Sequence, residues 1–300
     1  MPSNKRAAGT TTALIKQRFL VCRPDYFDST FLFNPWMSYR DSVDTVRARR
    51  QWDGMVAALE DAGAEIEVLD SSRHSPAQVF TADGAIVLGR KHALVLRNDG
   101  PRGSLEPRNF ADWLRADGFT VESIPPNRTL DGGNSLRLHD ESFACGLKPG
   151  GDGSGERYFG KLLELTTGTS LHLIPLIDRK YLHLDMAVGR VGDAGYLVFE
   201  SALEGGLASL TGSPILEKEI IRVDRKDAEQ FACNGITVGK TFLTGKISLV
   251  LIDAIERLGY RVRTLELDEF HKAGGGLKCL TLPLGPGSET QVEDRVAQVE

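Results

Sequence analysis

The chain has 300 residues, 41% of them hydrophobic, and a formal net charge of −5. That is enough apolar material for one large domain or two small ones, and the lack of a dominant basic patch argues against nucleic acid as the main partner. No apolar run is long enough to cross a membrane, and four scattered cysteines without a Cys-x-x-Cys pair indicate neither a zinc site nor a disulfide framework.

Residues 1–17 are polar and carry Lys5 and Arg6 with no apolar core, so they read as a loose arm and not as a secretory signal. A cytoplasmic, reducing location follows from this, one in which Cys279 persists as a free thiol. Residues 19–22 read as a buried strand. Residues 31–37 are an apolar segment broken by Pro35, expected to form a loop packed on the body. From residue 44 to 62 the period becomes helical, with Trp52, Met55, Val56 and Leu59 on one stripe. Gly63 ends this helix, and residues 65–69 alternate as a strand.

The same phrase recurs. Pro107 opens a helix carrying Phe110, Trp113 and Leu114; Gly118 ends it, and residues 119–124 follow as a strand. Tyr158, Phe159, Leu162 and Leu163 mark a third helix, ended near Gly168, before residues 171–174. A weaker fourth copy runs through Leu207 and Leu210 to residues 220–223. In the fifth, Leu251, Ile252, Ile255 and Leu258 form the stripe, Gly259 stops it, and residues 260–265 are the strand. Pairs of short apolar strands lie between the copies, at residues 85–89 with 93–96, 135–138 with 143–146, 186–191 with 196–199, and 236–239 with 242–243.

A strand-strand-helix-strand unit repeated five times predicts an α/β propeller of ββαβ modules around a central channel. The plainer alternative is a three-layer α/β domain with irregular connections. The predicted domain spans residues 18–284, with the polar stretch 285–300 as a peripheral tail. Residues 150–155, rich in glycine, read as a surface loop; the lysine and hydroxyl residue that would close a phosphate loop are missing.

The chemistry concentrates near the end, in Ala273-Gly274-Gly275-Gly276-Leu277-Lys278-Cys279. Cys279 reads as a nucleophile delivered by a flexible turn. A cysteine nucleophile needs an acid–base partner and a group to orient that partner. Tyr181-Leu182-His183-Leu184-Asp185 offers both: on a strand, His183 and Asp185 share one face. An isolated His-x-Asp is more often a solvated strand face. Asp131, in Thr129-Leu130-Asp131-Gly132-Gly133-Asn134, and Asp83, in Thr81-Ala82-Asp83-Gly84, are each compatible with a simple turn. What unites them is register: Asp83, Asp131, His183 and Cys279 fall at the same point of successive modules.

These motifs together resemble the guanidino-group-modifying enzymes, the pentein superfamily of dimethylargininases, arginine deiminases, arginine dihydrolases and amidinotransferases. The resemblance covers roughly residues 19–284 and rests on VFTADGAIV (79–87), TLDGGN (129–134), YLHLD (181–185) and AGGGLKC (273–279), with NPWM (34–37) and FACN (231–234) as secondary marks. It implies Cys279 as nucleophile, His183 as general acid and base, and Asp131 as the carboxylate that orients His183. It further implies Asp83 and Asp185 as the acids that grip the guanidinium, and Arg97 as a candidate for holding a substrate carboxylate. No metal or other cofactor is implied; the partner is a small guanidino compound, with no membrane or nucleic-acid partner, and any oligomer is expected to be a homodimer. The chain departs from the dimethylargininase pattern at Asn134, usually an aspartate, and at Asp185, where that pattern replaces the acid. Two acids suit an unmethylated guanidinium with N–H groups at both ends. The expected reaction is therefore hydrolysis of arginine or a relative through an amidino-cysteine. An amidinotransferase, a non-catalytic pentein binding protein and an ordinary amide hydrolase are the rival readings. Asn234 is expected to support the site through backbone contacts, His271 to pack beside it, and Cys22, Cys145 and Cys233 to lie in the core.

Overall fold

The computed structural model describes residues 16–28, 35–37, 42–89, 91–97 and 106–286. Of the expected arm and tail only Lys16, Gln17, Gly285 and Pro286 are described, and the last three are already strand; of the 31–37 segment only Pro35, Trp36 and Met37 lie within the described residues.

In chain order the elements are β1 (Gln17–Cys22), α1 (Thr45–Asp61), β2 (Glu65–Leu69), β3 (Ala85–Gly89), β4 (His92–Val95), α2 (Glu106–Ala116) and β5 (Thr120–Ser123). There follow β6 (Ser135–Arg137), β7 (Phe143–Leu147), α3 (Ser154–Thr167), β8 (Leu171–Pro175), β9 (Val188–Val191), β10 (Gly195–Val198) and β11 (Ile220–Arg222). The last group is α4 (Arg225–Ala228), β12 (Ile236–Val238), β13 (Thr241–Thr244), α5 (Leu249–Arg257), β14 (Arg261–Thr264), α6 (Asp268–His271) and β15 (Leu282–Pro286).

Among the described residues the strands form five three-stranded sheets, β15-β1-β2, β3-β4-β5, β6-β7-β8, β9-β10-β11 and β12-β13-β14. In each, the first two strands are antiparallel and the third runs parallel to the second. A parallel return needs a long crossover, and in four of the five sheets an α-helix supplies it. This is the fivefold ββαβ repeat expected from the sequence. The last strand, β15, supplies the first strand of the sheet that β1 and β2 began, so the two ends of the described chain meet in one sheet.

Local signals explain the crossovers. Asp44 caps α1, its side chain accepting from the Arg47 N–H, and Ser248 caps α5 in the same way through Leu251. Along α3, Phe159 and Leu163 are wholly buried, worth about 1.5–3 kcal/mol each. Gly168 then ends the helix at φ 68°, its N–H reaching the carbonyls of Leu163 and Glu164. The fourth crossover differs from expectation. Between β10 and β11 there is no α-helix, only short 3-10 turns at Glu200–Ala202, Gly206–Leu210 and Glu217–Glu219. Gly205 and Gly206 both have positive φ, and Gly212 follows with another, so too few consecutive helix formers remain.

The glycine-rich stretch 150–155 is only partly a surface loop: Ser154 and Gly155 open α3. A Cβ on Gly155 would stand 1.9 Å from the Thr129 carbonyl oxygen. The first turn of α3 thus packs directly on the strand-like segment leading to Asp131. Among the described residues no helix is long and apolar enough to cross a membrane.

Candidate active site

Each sheet is entered through a tight turn just before its first strand. Four of these are single 3-10 turns: Thr81–Asp83, Gly132–Asn134, Leu184–Met186 and Ala232–Asn234. The fifth, residues 277–280 before β15, holds Cys279. These five turns are the common register in which the sequence repeats its polar residues.

Each turn is hydrogen-bonded to the next. The Gly133 N–H donates to Asp83 Oδ1 at 3.0 Å, and the Leu184 N–H to Asn134 Oδ1 at 3.1 Å. Asn234 Nδ2 donates to the Asp185 carbonyl at 3.3 Å, and Asn234 Oδ1 accepts from the Cys279 N–H at 3.1 Å. The Ala82 N–H closes the circuit on the Cys279 carbonyl at 3.1 Å. Short polar side chains thus satisfy buried backbone groups that no strand ladder reaches. Asn234, fully buried, fulfils its expected supporting contacts.

The turn carrying Cys279 is close-packed where a flexible one was expected. Its approach is anchored by α6, whose buried Glu269 accepts from the Asp44 N–H at 2.8 Å. Beyond α6, a Cβ on Gly275 would fall 2.2 Å from the Phe80 ring, and one on Gly276 2.8 Å from Asn234 Oδ1. The glycines serve close approach more than mobility.

Inside the ring the charged groups converge. His183 Nε2 lies 3.4 Å from Asp131 Oδ2, and its Nδ1 lies 3.8 Å from Asp83 Oδ1. Asp185 is fully buried, with Oδ2 at 2.9 Å from Lys278 Nζ and 3.8 Å from Cys279 Sγ. His183 and Asp185 do not share a strand face. His183 is extended, but Leu184–Met186 turns as a 3-10 helix, and the turn brings Asp185 inward. The two side chains still meet, because both crowd Gly133: a Cβ there would lie 2.5 Å from His183 Nδ1 and 3.2 Å from Asp185 Oδ2.

Two lysines join to which the sequence assigned no role. Lys278 pairs with Asp185, and Lys148, just past β7, pairs with Asp131. Arg97 stands apart: its side chain is exposed, and its backbone is bridged to Leu130 beside Asp131. The other thiols, Cys22, Cys145 and Cys233, are buried and unpaired in disulfides, as expected. His271 packs on the Phe231 ring at 4.5 Å, and burial holds it down to about 4, neutral at ordinary pH.

The electrostatics follow from these contacts. Burial would lower the His183 pKa, but Asp83 and Asp131 outweigh it and raise it, favouring the imidazolium. Burial would raise Asp131, yet the hydrogen bond and charge of His183, joined by Lys148, hold its carboxyl well below the usual range. Cys279 is pushed well up by burial and by the Asp185 and Asp83 carboxylates, so the free protein holds a thiol there. Burial, with Asp131 and Asp185 nearby, raises Asp83 against the opposing His183.

A raised carboxyl costs stability wherever it is ionised. The folded pKa of Asp83 exceeds its unfolded value, so stability is lost as pH rises through that range. Asp83→Asn keeps an oxygen for the Gly133 N–H and removes the charge. Its melting temperature should therefore exceed that of the native chain at pH 7, and the advantage should vanish in acid, where both states protonate Asp83. Equal melting curves at pH 7 would show that Asp83 carries no such strain.

The sequence and the fold are paralleled in known proteins. The family model described as N,N dimethylarginine dimethylhydrolase, eukaryotic, matches residues 34–285. The bifunctional arginine dihydrolase/ornithine cyclodeaminases AgrE of Nostoc sp. and ArgZ of Synechocystis sp. are each 28% identical over 294 residues, covering 94% of this chain and 41% of the relative. The chain spans about two fifths of the length of these curated relatives. The crystal structure of the N-terminal domain of ArgZ, bound to product, superposes with a TM-score of 0.81 at 27% identity, covering 89% of this chain and 97% of that one. The same domain has also been solved covalently bound to a reaction intermediate. With its family model matched across most of its length, the chain belongs to the N,N-dimethylarginine dimethylhydrolase family.

Proposed function

We propose that the protein is a cysteine-dependent hydrolase acting on the guanidino carbon of arginine or a related unmethylated guanidino compound, through a covalent amidino-cysteine. The observation that carries this reading is the convergence of Cys279 Sγ and Lys278 on one oxygen of Asp185, with His183 held between Asp131 and Asp83 on the neighbouring turns. A planar cation is what such a set of carboxylates recognises, through paired charge-assisted hydrogen bonds. A neutral amide carbonyl gives Asp83 and Asp185 nothing to bind. A dimethylated nitrogen has no hydrogen to offer Asp185.

Each residue then has a step. Asp83 and Asp185 hold the guanidinium with its carbon toward the sulfur. The arriving cation offsets the carboxylate charge that keeps Cys279 protonated, so ionisation of the thiol, its proton leaving to solvent, is coupled to substrate binding. The thiolate adds to the guanidino carbon, and the His183 imidazolium donates its proton to the departing amine. This leaves an amidino-cysteine and a neutral imidazole. His183 next takes a proton from water, the hydroxide adds to the same carbon, and collapse expels the Cys279 sulfur, which takes up the hydroxyl proton to restore the thiol as the neutral ureido product leaves. Asp131 orients His183 and stabilises its charged form. Arg97, exposed beside the Asp131 segment, is the candidate for the substrate's carboxylate. The catalytic unit is residues 18–284 with the strand residues Gln17 and Gly285–Pro286, working in a reducing cytoplasm.

Product analysis tests the reading. The enzyme is incubated with arginine, methylated arginines, agmatine and guanidinoacetate, with and without glycine, lysine or ornithine. Ammonia or an amine plus a ureido product, formed without an acceptor, supports the hydrolase. A new guanidino compound formed only with an amine makes it an amidinotransferase.

Asp131→Asn gives a pH test. It removes a carboxylate that raises His183, so the folded pKa of His183 falls. The alkaline limb of kcat/KM, where the imidazolium is lost, should move to lower pH. Loss of the orienting charge should lower kcat by about 10²-fold, within the range of general acid–base help. An unmoved alkaline limb would separate Asp131 from His183 function.

A further inference from the structure

Lys278 occupies an unusual place for a lysine beside a reactive cysteine. Its ammonium points into the ring, its side chain is only 18% exposed, and it binds one oxygen of a carboxylate that is fully buried. Its backbone is fixed as well, the Lys278 N–H donating to the Asn234 carbonyl at 3.0 Å. Burying an ion pair strips both ions of water before their attraction offsets the loss, so such a pair is weak as a stabilising device. Its arrangement has a more specific consequence. Lys278 Nζ and Cys279 Sγ share Oδ2 of Asp185, while Oδ1 of the same carboxylate is buried and has no hydrogen-bond partner among the described residues.

We infer that Lys278 is a positioning residue: by holding Oδ2 of Asp185 it turns Oδ1 toward the incoming guanidinium and offsets the carboxylate charge beside the Cys279 sulfur. This rests on the reading of Cys279 as the nucleophile for a guanidino carbon. One carboxylate thereby serves two cations at once, a permanent one on Oδ2 and a transient one on Oδ1. Lys278 stays in place when substrate binds; the guanidinium takes the buried, unpartnered oxygen and does not displace it. The groups that face Lys278 and Cys279 are Asp185 and Asp83, both acidic, with His183, Asp131 and Lys148 completing the ring. Lys278 opposes the two acids at the sulfur, so its loss leaves both carboxylates acting on the thiol unbalanced.

The test uses the full chain, with Lys278→Met and Lys278→Arg. Its first readout needs no substrate: the pH dependence of Cys279 alkylation by iodoacetamide, followed by mass spectrometry of the peptide. With Lys278→Met the alkylation midpoint should move to higher pH, slowing alkylation by about tenfold at a fixed pH below it, as expected for loss of a neighbouring charge. Lys278→Arg should restore most of the rate, which a merely structural role would not require. The second readout is the split between KM and kcat for the substrate turned over. With Lys278→Met, KM should rise about tenfold, as Asp185 loses its fixed orientation. An unchanged alkylation profile would overturn the inference, and so would a fall in KM, which would make Lys278 a competitor for Asp185. Failure of the native protein to turn over any guanidino compound would strike the functional reading alone, and the alkylation profiles would still decide the role of Lys278.

Discussion

Cys279→Ser should lower turnover by about 10³-fold or more while leaving the melting temperature nearly unchanged. The chemical side of the argument is the nucleophile itself. A hydroxyl ionises far less readily than a thiol and needs a base in contact with it. The side-chain partner of Cys279 Sγ is Asp185 Oδ2 at 3.8 Å, an oxygen already committed to Lys278 at 2.9 Å. His183 is engaged by Asp131 and Asp83 and is held toward the imidazolium, so it cannot take a proton from a serine. The structural side is that the turn is held by its backbone. The Cys279 N–H donates to Asn234 Oδ1 and its carbonyl accepts from Ala82, and neither bond involves the side chain. A sulfur-to-oxygen change at a buried site next to an acceptor belongs with substitutions that cost about 1 kcal/mol. Steady-state rates and thermal melts of the purified variant measure both halves. A variant that turns over at the native rate would remove Cys279 from the chemistry.

The parts of this molecule legible in the sequence are those set by local rules repeated in register. A helical stripe, a glycine with positive φ and an alternating strand are all short-range patterns, and they located four of the five crossovers. The fourth crossover failed because the weak stripe through Leu207 and Leu210 is interrupted by Gly205, Gly206 and Gly212, and breakers outweighed periodicity. The placing of Asp83, Asp131, His183 and Cys279 at one point of each module was legible for the same reason, since the turns entering the sheets repeat with the modules. How His183 and Asp185 meet was not. Period-two alternation predicted a strand, whereas the chain makes a 3-10 turn whose Met186 N–H returns to the His183 carbonyl. The lysines were illegible in principle. A lysine at a turn reads as a solvated charge, and only the tertiary ring reveals that Lys278 and Lys148 point toward Asp185 and Asp131. The residues 150–155 show the converse error, in which glycine content read as freedom is close packing at Gly155.

Gly132 and Gly133 are neighbours whose alanine variants should fail in opposite ways. Neither has positive φ, so backbone conformation does not demand glycine at either position. The demand comes from what a Cβ would strike. On Gly132 it would fall 1.8 Å from the Ala82 carbonyl oxygen and 2.9 Å from the carbon. Those atoms are backbone, in the turn whose Ala82 N–H closes the ring on Cys279, and they can yield only if the two turns separate. Gly132→Ala should therefore destabilise the fold by about 1–3 kcal/mol or more, the cost of overpacking a closed core. A drop of several degrees in melting temperature should follow. On Gly133 the Cβ would fall 2.5 Å from His183 Nδ1 and 2.9 Å from its Cγ, both on a side chain that can rotate away. Gly133→Ala should keep most of the stability and lose kcat by about 10²-fold, the usual consequence of an ångström's displacement of a catalytic group. The pair is measured by melting curves and turnover side by side. If Gly133→Ala were fully active, the imidazole would not work from the position between Asp83 and Asp131. If Gly132→Ala melted like the native chain, the contact between the first two of these turns would be looser than 1.8 Å implies, and the ring of turns would not be what holds the site together.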